Sequence, residues 1–501
     1  MFKGHPKGLA VLFFSNMGER FGFYTMLSVF TYYLMENFGW TEGEATNVYG
    51  IFMGILYVLP VAGGLIAESL LGYGRTVLIG IIIMMTGYFV MAVPSDSVFM
   101  LWLSLGIIAV GTGLFKGNIV VLVGNLYDRP EYGSLRDSAF NIYYMGINIG
   151  AFFAPYAATA AKNYFTGTMG MTVAEGYNAA FAVSAFGQLF SLMAFTLFRK
   201  HYKSADVRAT VKKGAEIVQS AITPEQERQR VVALLIVFAI VIFFWMAFQQ
   251  NGAALSLFAK YYTELQGGPG RGMLFDLVAL LAIVAVIGGL YFVFRGKTGT
   301  VRMVAGGATL AAVVVAWLRY SSFPEVNTYD PELFQSFNPL FIVFLTPAVL
   351  AAFAWLNARG KEPSSPGKIG IGMLITAIAF GLLLAASLGL PVAETLDGKP
   401  SPVLVSPYWL ISAYLTMTVA ELFLSPMGLS FVSKVAPPRL KGLMQGLWLC
   451  AVGVGNYLAG FIGKFYESWE LWQFFAMLAG AMLLSALAIA VMLKRLKAAT
   501  A

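Results

Sequence analysis

The sequence predicts an all-α polytopic membrane protein with fourteen transmembrane helices, and three observations carry that fold class. Of 501 residues, 58% are hydrophobic and only 12% charged, against about 45–50% and about 25% in soluble chains. Mean hydropathy is +0.73. The apolar residues fall into runs of the ~20 residues that a bilayer crossing needs. The basic residues gather in alternate connecting segments. Such a composition excludes a soluble enzyme, a nucleic-acid binder and a disordered scaffold, because so much apolar surface must face lipid.

The first run, 9–35, carries Glu19 and Arg20 and lacks a small-residue cleavage site, so it is expected to be a retained helix. Runs at 46–71, 76–94, 98–125, 139–161 and 178–198 complete a group of six. A hydrophilic segment, 200–230, rich in Lys and Arg and containing "TPEQER", then separates six runs from eight. It reads as a cytoplasmic linker between an N-terminal six-helix bundle, 1–199, and a C-terminal part, 231–501. That part holds runs at 231–260, 273–294, 302–319, 338–357, 369–390, 404–433, 442–464 and 471–493. Pro60, Pro155, Pro339, Pro347, Pro407 and Pro426 are candidate kinks, tolerated where neighbours or cavity water satisfy the freed carbonyls. Gly50/Gly54 and Gly146/Gly150 have the spacing for close helix contact.

An even number of crossings puts both termini on one side. If that side is the cytoplasm, its segments hold 25 Lys and Arg. The outer segments hold 6, namely Lys162, Lys260, Arg271, Arg319, Lys399 and Lys464. The positive-inside rule therefore expects cytoplasmic termini in a cell (inner) membrane. The net charge of +8 then needs no nucleic-acid partner. One cysteine, Cys450, excludes an intrachain disulfide. The two histidines, His5 and His201, lie outside the runs. No metal, cofactor or histidine relay is expected, and proton chemistry falls to carboxylates.

Four ionisable residues lie at bilayer depth: Glu19, Arg20, Lys116 and Glu421. Such groups are costly in lipid and mark function by default. Two positive and two negative charges sum to zero, as a shared water-filled cavity would favour. Asn16, Glu19, Arg20, Phe23, Tyr24 and Leu27 recur at helical spacing and share one face. The Arg20 fork suits a carboxylate. Lys116 supplies a compact second cation, and Glu421 suits a substrate ammonium or a proton. No nucleophile–base pair is visible, so an enzyme is not expected.

Several stretches resemble the proton-dependent oligopeptide transporters (POT/PTR) of the major facilitator superfamily. "NMGERFGFY" (16–24) is similar to that family's ExxERFxYY motif. "LYVLPVAGGLIAESLLGYGR" (56–75), "GTGLFKGNIVVLVGNLY" (111–127) and "FNIYYMGINIGAFFAP" (140–155) resemble its second, fourth and fifth helices. "FFWMAFQQNGAALSLFA" (243–259), "QSFNPLFIVFLTP" (335–347) and "AELFLSPMGLSFVSKVAPPRLKGLMQGLW" (420–448) resemble its seventh, eighth and tenth–eleventh. The resemblance implies two six-helix bundles around a central cavity, working by alternating access, with an extra helix pair inserted here at about 273–319. It implies that Arg20 and Lys116 hold a peptide carboxylate, that Asn148, Asn338 and Glu421 receive its amino end, and that Tyr24, Tyr57, Trp245 and Trp448 line the pocket. Glu68 and Arg75 fall in the gating loop.

The departures from the motif are specific. Asn16 replaces the first motif glutamate and Phe23 the first tyrosine. Leu27 and Gln249 replace both partners of an expected salt bridge, which is coherent because losing one alone would strand a charge. Gly117 replaces a proline after the motif lysine. Glu19 and Glu421 remain as proton carriers. The expectation is a monomeric importer of di- and tripeptides in the bilayer, coupled to protons in an altered way. The alternative is a related carrier of nitrate, another small anion or an amino-acid derivative, without proton coupling.

Overall fold

The structure is a computed structural model that describes residues 2–128, 131–206, 223–437 and 440–498. Residues 207–222, half of the expected linker, lie outside the described residues. The first six helices are α1 (Lys7–Phe38), α2 (Glu42–Ile66), α3 (Tyr73–Ala92), α4 (Val98–Leu126), α5 (Arg136–Gly167) and α6 (Val173–Leu197). Their ends follow local chemistry. Thr41 with Glu44 and Thr172 with Glu175 form capping boxes at the starts of α2 and α6, each satisfying two orphan amides. Gly39 closes α1 in the left-handed region at φ 65, where glycine carries no Cβ penalty. Beyond α2 the chain makes a π turn at Ala67–Leu71.

The seventh span begins earlier than hydropathy alone suggests. Helix α7 runs Pro224–Phe248, because Thr223 and Gln226 cap it and proline is pre-organised for the first turn. A 3₁₀ stretch, Gln249–Gly252, interrupts the span before α8 (Ala254–Tyr262). After a short α9 (Pro269–Phe275) come α10 (Leu277–Arg295) and α11 (Gly299–Ser322), the inserted pair. Then follow α12 (Phe337–Asn357), α13 (Ser365–Ala386), α14 (Pro407–Val435), α15 (Lys441–Phe461), α16 (Gly463–Ser468) and α17 (Leu471–Ala498). Pro60, Pro155 and Pro347 lie inside α2, α5 and α12, as expected. Pro407 instead opens α14, where its missing amide is no loss.

Among the described residues, eleven helices are apolar and long enough to cross a membrane. The three expected spans outside that set are α1, α5 and α14, and α1 and α14 hold Glu19, Arg20 and Glu421. Buried apolar side chains form two clusters. One is built from Leu9 to Ala205 with Ala253 added, the other from Ala233 to Leu496. The halves meet where α2 packs on α15 and α5 on α12. At the first seam a Cβ on Gly50 would lie 2.6 Å from Gly460 Cα, so only glycine allows the approach.

Helices α10 and α11 pack chiefly on each other and leave residues such as Phe294 and Trp317 exposed. In a membrane this surface faces lipid. Arg319 closes the hairpin base on Asp276 at 2.5 and 3.1 Å. A two-residue strand at Gln266–Gly267, paired with Asn327–Thr328, sits where the sequence shows only a glycine-rich turn.

Candidate functional site

The four bilayer-depth charges do not pair evenly. Glu19 and Arg20, neighbours on α1, form a bidentate pair, Nε to Oε2 at 2.5 Å and Nη2 to Oε1 at 2.7 Å. Both side chains are buried. The guanidinium also lies 4.9 Å from the Phe23 ring centroid, a favourable face for a desolvated cation. The Arg20 fork, assigned from sequence to a substrate carboxylate, is therefore filled by its own neighbour.

Lys116 on α4 has no carboxylate within ion-pair distance among the described residues. Its Nζ sits 3.4 Å above the Tyr57 ring centroid of α2. Glu421 on α14 has no cation within ion-pair distance among the described residues either. Its Oε2 accepts from Asn338 Nδ2 at 3.0 Å, and the same Nδ2 lies 3.0 Å from Thr418 Oγ1. One amide thus holds the carboxylate in place without neutralising it. The Tyr24 hydroxyl stands in the electrostatic field of Arg20, Tyr57, Glu19 and Glu421 together. Glu421 of the second half therefore acts on the same hydroxyl as Glu19 and Arg20 of the first.

The remaining predicted residues divide. Tyr24, Tyr57, Asn148, Trp245 and Asn338 are half-buried. Asn148 spends its amide on the Tyr144 carbonyl at 3.1 Å, which leaves its own carbonyl open. Trp245 Nε1 and Asn16 Nδ2 are buried with no hydrogen-bond partner among the described residues. Trp448 is buried and set edge-on to Phe238, with centroids 5.8 Å apart, so it packs in the second-half core here. Glu68 and Arg75 are both exposed and not paired with each other; Tyr73 donates to Glu68 at 3.4 Å. The backbone there is held instead by Asp206, which accepts from the Gly74 amide at 2.8 Å.

The motif departures also have a structural counterpart. Leu27 is buried, and Gln249 Nε2 donates to Tyr49 OH at 2.5 Å across the two halves. A neutral hydrogen bond stands near where a salt bridge was expected. Tyr49 and Thr418 carried no sequence signal beyond lying in helical runs.

Comparison with known proteins decides the family. A family model described as PTR2, POT family, matches residues 74–211 and 323–474, more than half the chain. The chain belongs to the POT family. It is 29% identical over 497 residues to the uncharacterized transporter YclF of Bacillus subtilis (strain 168), covering 93% of this chain and 90% of the relative. It is 27% identical over 480 residues to the dipeptide and tripeptide permease B of Edwardsiella piscicida, covering 92% and 87%. A crystal structure of the peptide transporter POT in complex with sulfate superposes with TM-score 0.74 at 25% identity, covering 100% of this chain and 96% of that one. The POT assignment makes the chain a multi-pass membrane protein of a transporter family with the major facilitator fold, its inserted pair lying between α9 and α12.

Polar contacts between the POT halves cluster at the end away from the termini. Thr31 donates to the Gly252 carbonyl at 2.7 Å, Tyr32 to the Ser256 carbonyl at 2.8 Å, and Lys260 to Glu36 at 2.9 Å. Glu467 of α16 accepts from the Gly43 amide at 2.9 Å, a carboxylate at the N-terminus of α2, where the helix dipole favours it. Lys162, counted from sequence among the outer charges, is buried at this seam.

Proposed function

We propose that this POT-family protein imports di- and tripeptides across the cell (inner) membrane by alternating access between its halves, with cytoplasmic termini. The observation that carries the reading is the pair of opposite charges without an ion partner among the described residues, Lys116 on the first half and Glu421 on the second. Uncompensated charges in a low-dielectric site are costly. A zwitterionic peptide neutralises both at once, its carboxylate on Lys116 and its ammonium on Glu421. Asn148, Asn338, Tyr24, Tyr57 and Trp245 then surround the backbone, and Arg20 acts through Glu19 rather than as a direct ligand. Trp448 supports the wall from the core. The two halves, 1–199 and 231–501, would move against each other around this site, and one copy contains the whole pathway.

Coupling to protons falls to Glu19 and Glu421, since Asn16 and Gln249 cannot ionise. The alternative substrate, nitrate or another small anion, satisfies Lys116 but leaves Glu421 stranded, so an amino-acid derivative with both charges is the better second reading. Purified protein in liposomes, with labelled di- and tripeptides and a pH-sensitive dye, tests substrate and coupling together. Peptide uptake with proton entry is the expected result. Absence of uptake of any di- or tripeptide at any imposed gradient, by protein shown to be folded, would overturn the peptide assignment. Uptake without proton entry would remove coupling alone.

A further inference from the structure

The α1–α7 positions where an ion pair was expected, Leu27 and Gln249, hold none, yet the seam far from the termini is closed by charge supplied from other elements. Lys162 Nζ, near the end of α5, lies 2.7 Å from Glu332 Oε1 and 2.8 Å from Asp330 Oδ1. Asp330 and Glu332 belong to the second half, at the 3₁₀ segment Pro331–Ser336 that leads into α12. Tyr177 of α6 donates to the same Glu332 oxygen at 3.1 Å, and Asn163 donates to Asp330 at 2.9 Å. Glu332 is completely buried, and its second oxygen has no partner among the described residues. Alongside, Gln335 donates to the Ser28 carbonyl at 3.3 Å and to Ser256 Oγ at 3.1 Å.

Ion pairs respond to a movement of the halves according to where their partners sit. Glu19–Arg20 lies within one helix, and Asp276–Arg319 within one hairpin; a rigid-body movement changes neither. Lys260–Glu36 crosses the seam, but both side chains are partly exposed, so water replaces the partner at little cost. Lys162–Glu332 crosses the seam and is buried. Parting the halves there removes the ammonium that makes the burial of Glu332 tolerable.

We propose that Lys162 and Glu332 are the gating residues of the seam far from the termini, and that their ion pair sets the balance between closed and open at that end. The role is the one for which Leu27 and Gln249 lack charge. It rests on the alternating-access reading above, but its test needs no substrate. Spin labels at Met169 and Val326, on opposite halves and each more than half exposed, would report the seam by pulsed electron resonance. The background is Cys450→Ser in lipid nanodiscs.

The short distance should dominate in the parent. Lys162→Met and Glu332→Gln should each raise the ratio of long to short distances by about tenfold or more. Lys162→Arg should keep the parent distribution, and Lys260→Met should change it by less than about threefold. The exchange Lys162→Glu with Glu332→Lys should recover the short distance. Unchanged distances in both single variants would overturn the proposal. Where a single variant does not fold, the exchanged pair decides: the short distance supports the gate and the long one overturns it. A failure of peptide uptake leaves these distances untouched, and unchanged distances leave uptake untouched.

Discussion

The charges at the seam far from the termini and those at the centre are built on opposite plans. At the seam far from the termini, Lys162 meets Glu332 and Asp330 from the other half. At the centre, Glu19 and Arg20 satisfy each other within one helix, while Lys116 lies over the Tyr57 ring and Glu421 accepts from Asn338, neither with an ion partner among the described residues. On the alternating-access proposal, a charge paired across the seam holds a conformation, and a charge without an ion partner holds a place for a ligand. On that proposal the role of each charge follows from whether its ion partner lies on its own half, lies on the other half, or is absent among the described residues.

The strongest way to break this contrast is to remove a central cation. Lys116→Ala should lower peptide affinity by about a hundredfold, ~3 kcal/mol, because the peptide carboxylate is then buried without a partner. Calorimetric titration checks it, with a C-terminally amidated peptide as control; the amide should bind parent and variant alike. Equal affinity of the free-acid peptide for both proteins would remove Lys116 from the site. The carboxylate end comes next. Glu421→Gln keeps the shape and the amide partner of Asn338, so the expected loss in uptake rate is about tenfold, ~1.4 kcal/mol. N-acetylated peptides should lose nothing further. If the acetylated peptide falls as far as the free one, Glu421 does not read the amino end.

How much of this was legible in the sequence depends on the kind of signal. Spans are written in runs of about twenty residues, and the helices lie within several residues of them. The seventh span is the exception: its break at Gln249–Gly252 has no proline to announce it. Glu19, Arg20, Lys116 and Glu421 were visible because charge is rare at that depth. Their pairing was not, because a helical spacing gives a shared face but no side-chain torsions. Nothing in the spacing of neighbours 19 and 20 says that the fork closes on the adjacent carboxylate. The partners of Lys162, counted from sequence as an outer charge, were hidden for a related reason. Lys162 lies near a helix end, where basic residues serve topology, and its partners are 168 and 170 positions away.

The two remaining tests act inside the contrast. Arg20→Lys exchanges a planar fork for a point charge beside the same Glu19, losing one of two parallel hydrogen bonds. A stability loss of about 1–2 kcal/mol is expected, read as a lower melting temperature, with peptide affinity reduced far less than in Lys116→Ala. An affinity loss as large as that of Lys116→Ala would mean that Arg20 turns from Glu19 to the ligand when one arrives.

The smallest effect belongs to the neutral contact between the halves. Tyr49→Phe removes the hydroxyl that accepts from Gln249 and leaves the ring in its packing against Phe30. The net value of such a bond is about 0.5–1.5 kcal/mol, because opening the seam gives both groups back to water. Exchange of labelled peptide across liposomes at equilibrium should therefore change by about tenfold at most. A larger change would move the main closing interaction from the buried ion pair to the broken seventh span. A change within error would leave Lys162 and Glu332 as the contact that distinguishes the closed seam from the open one.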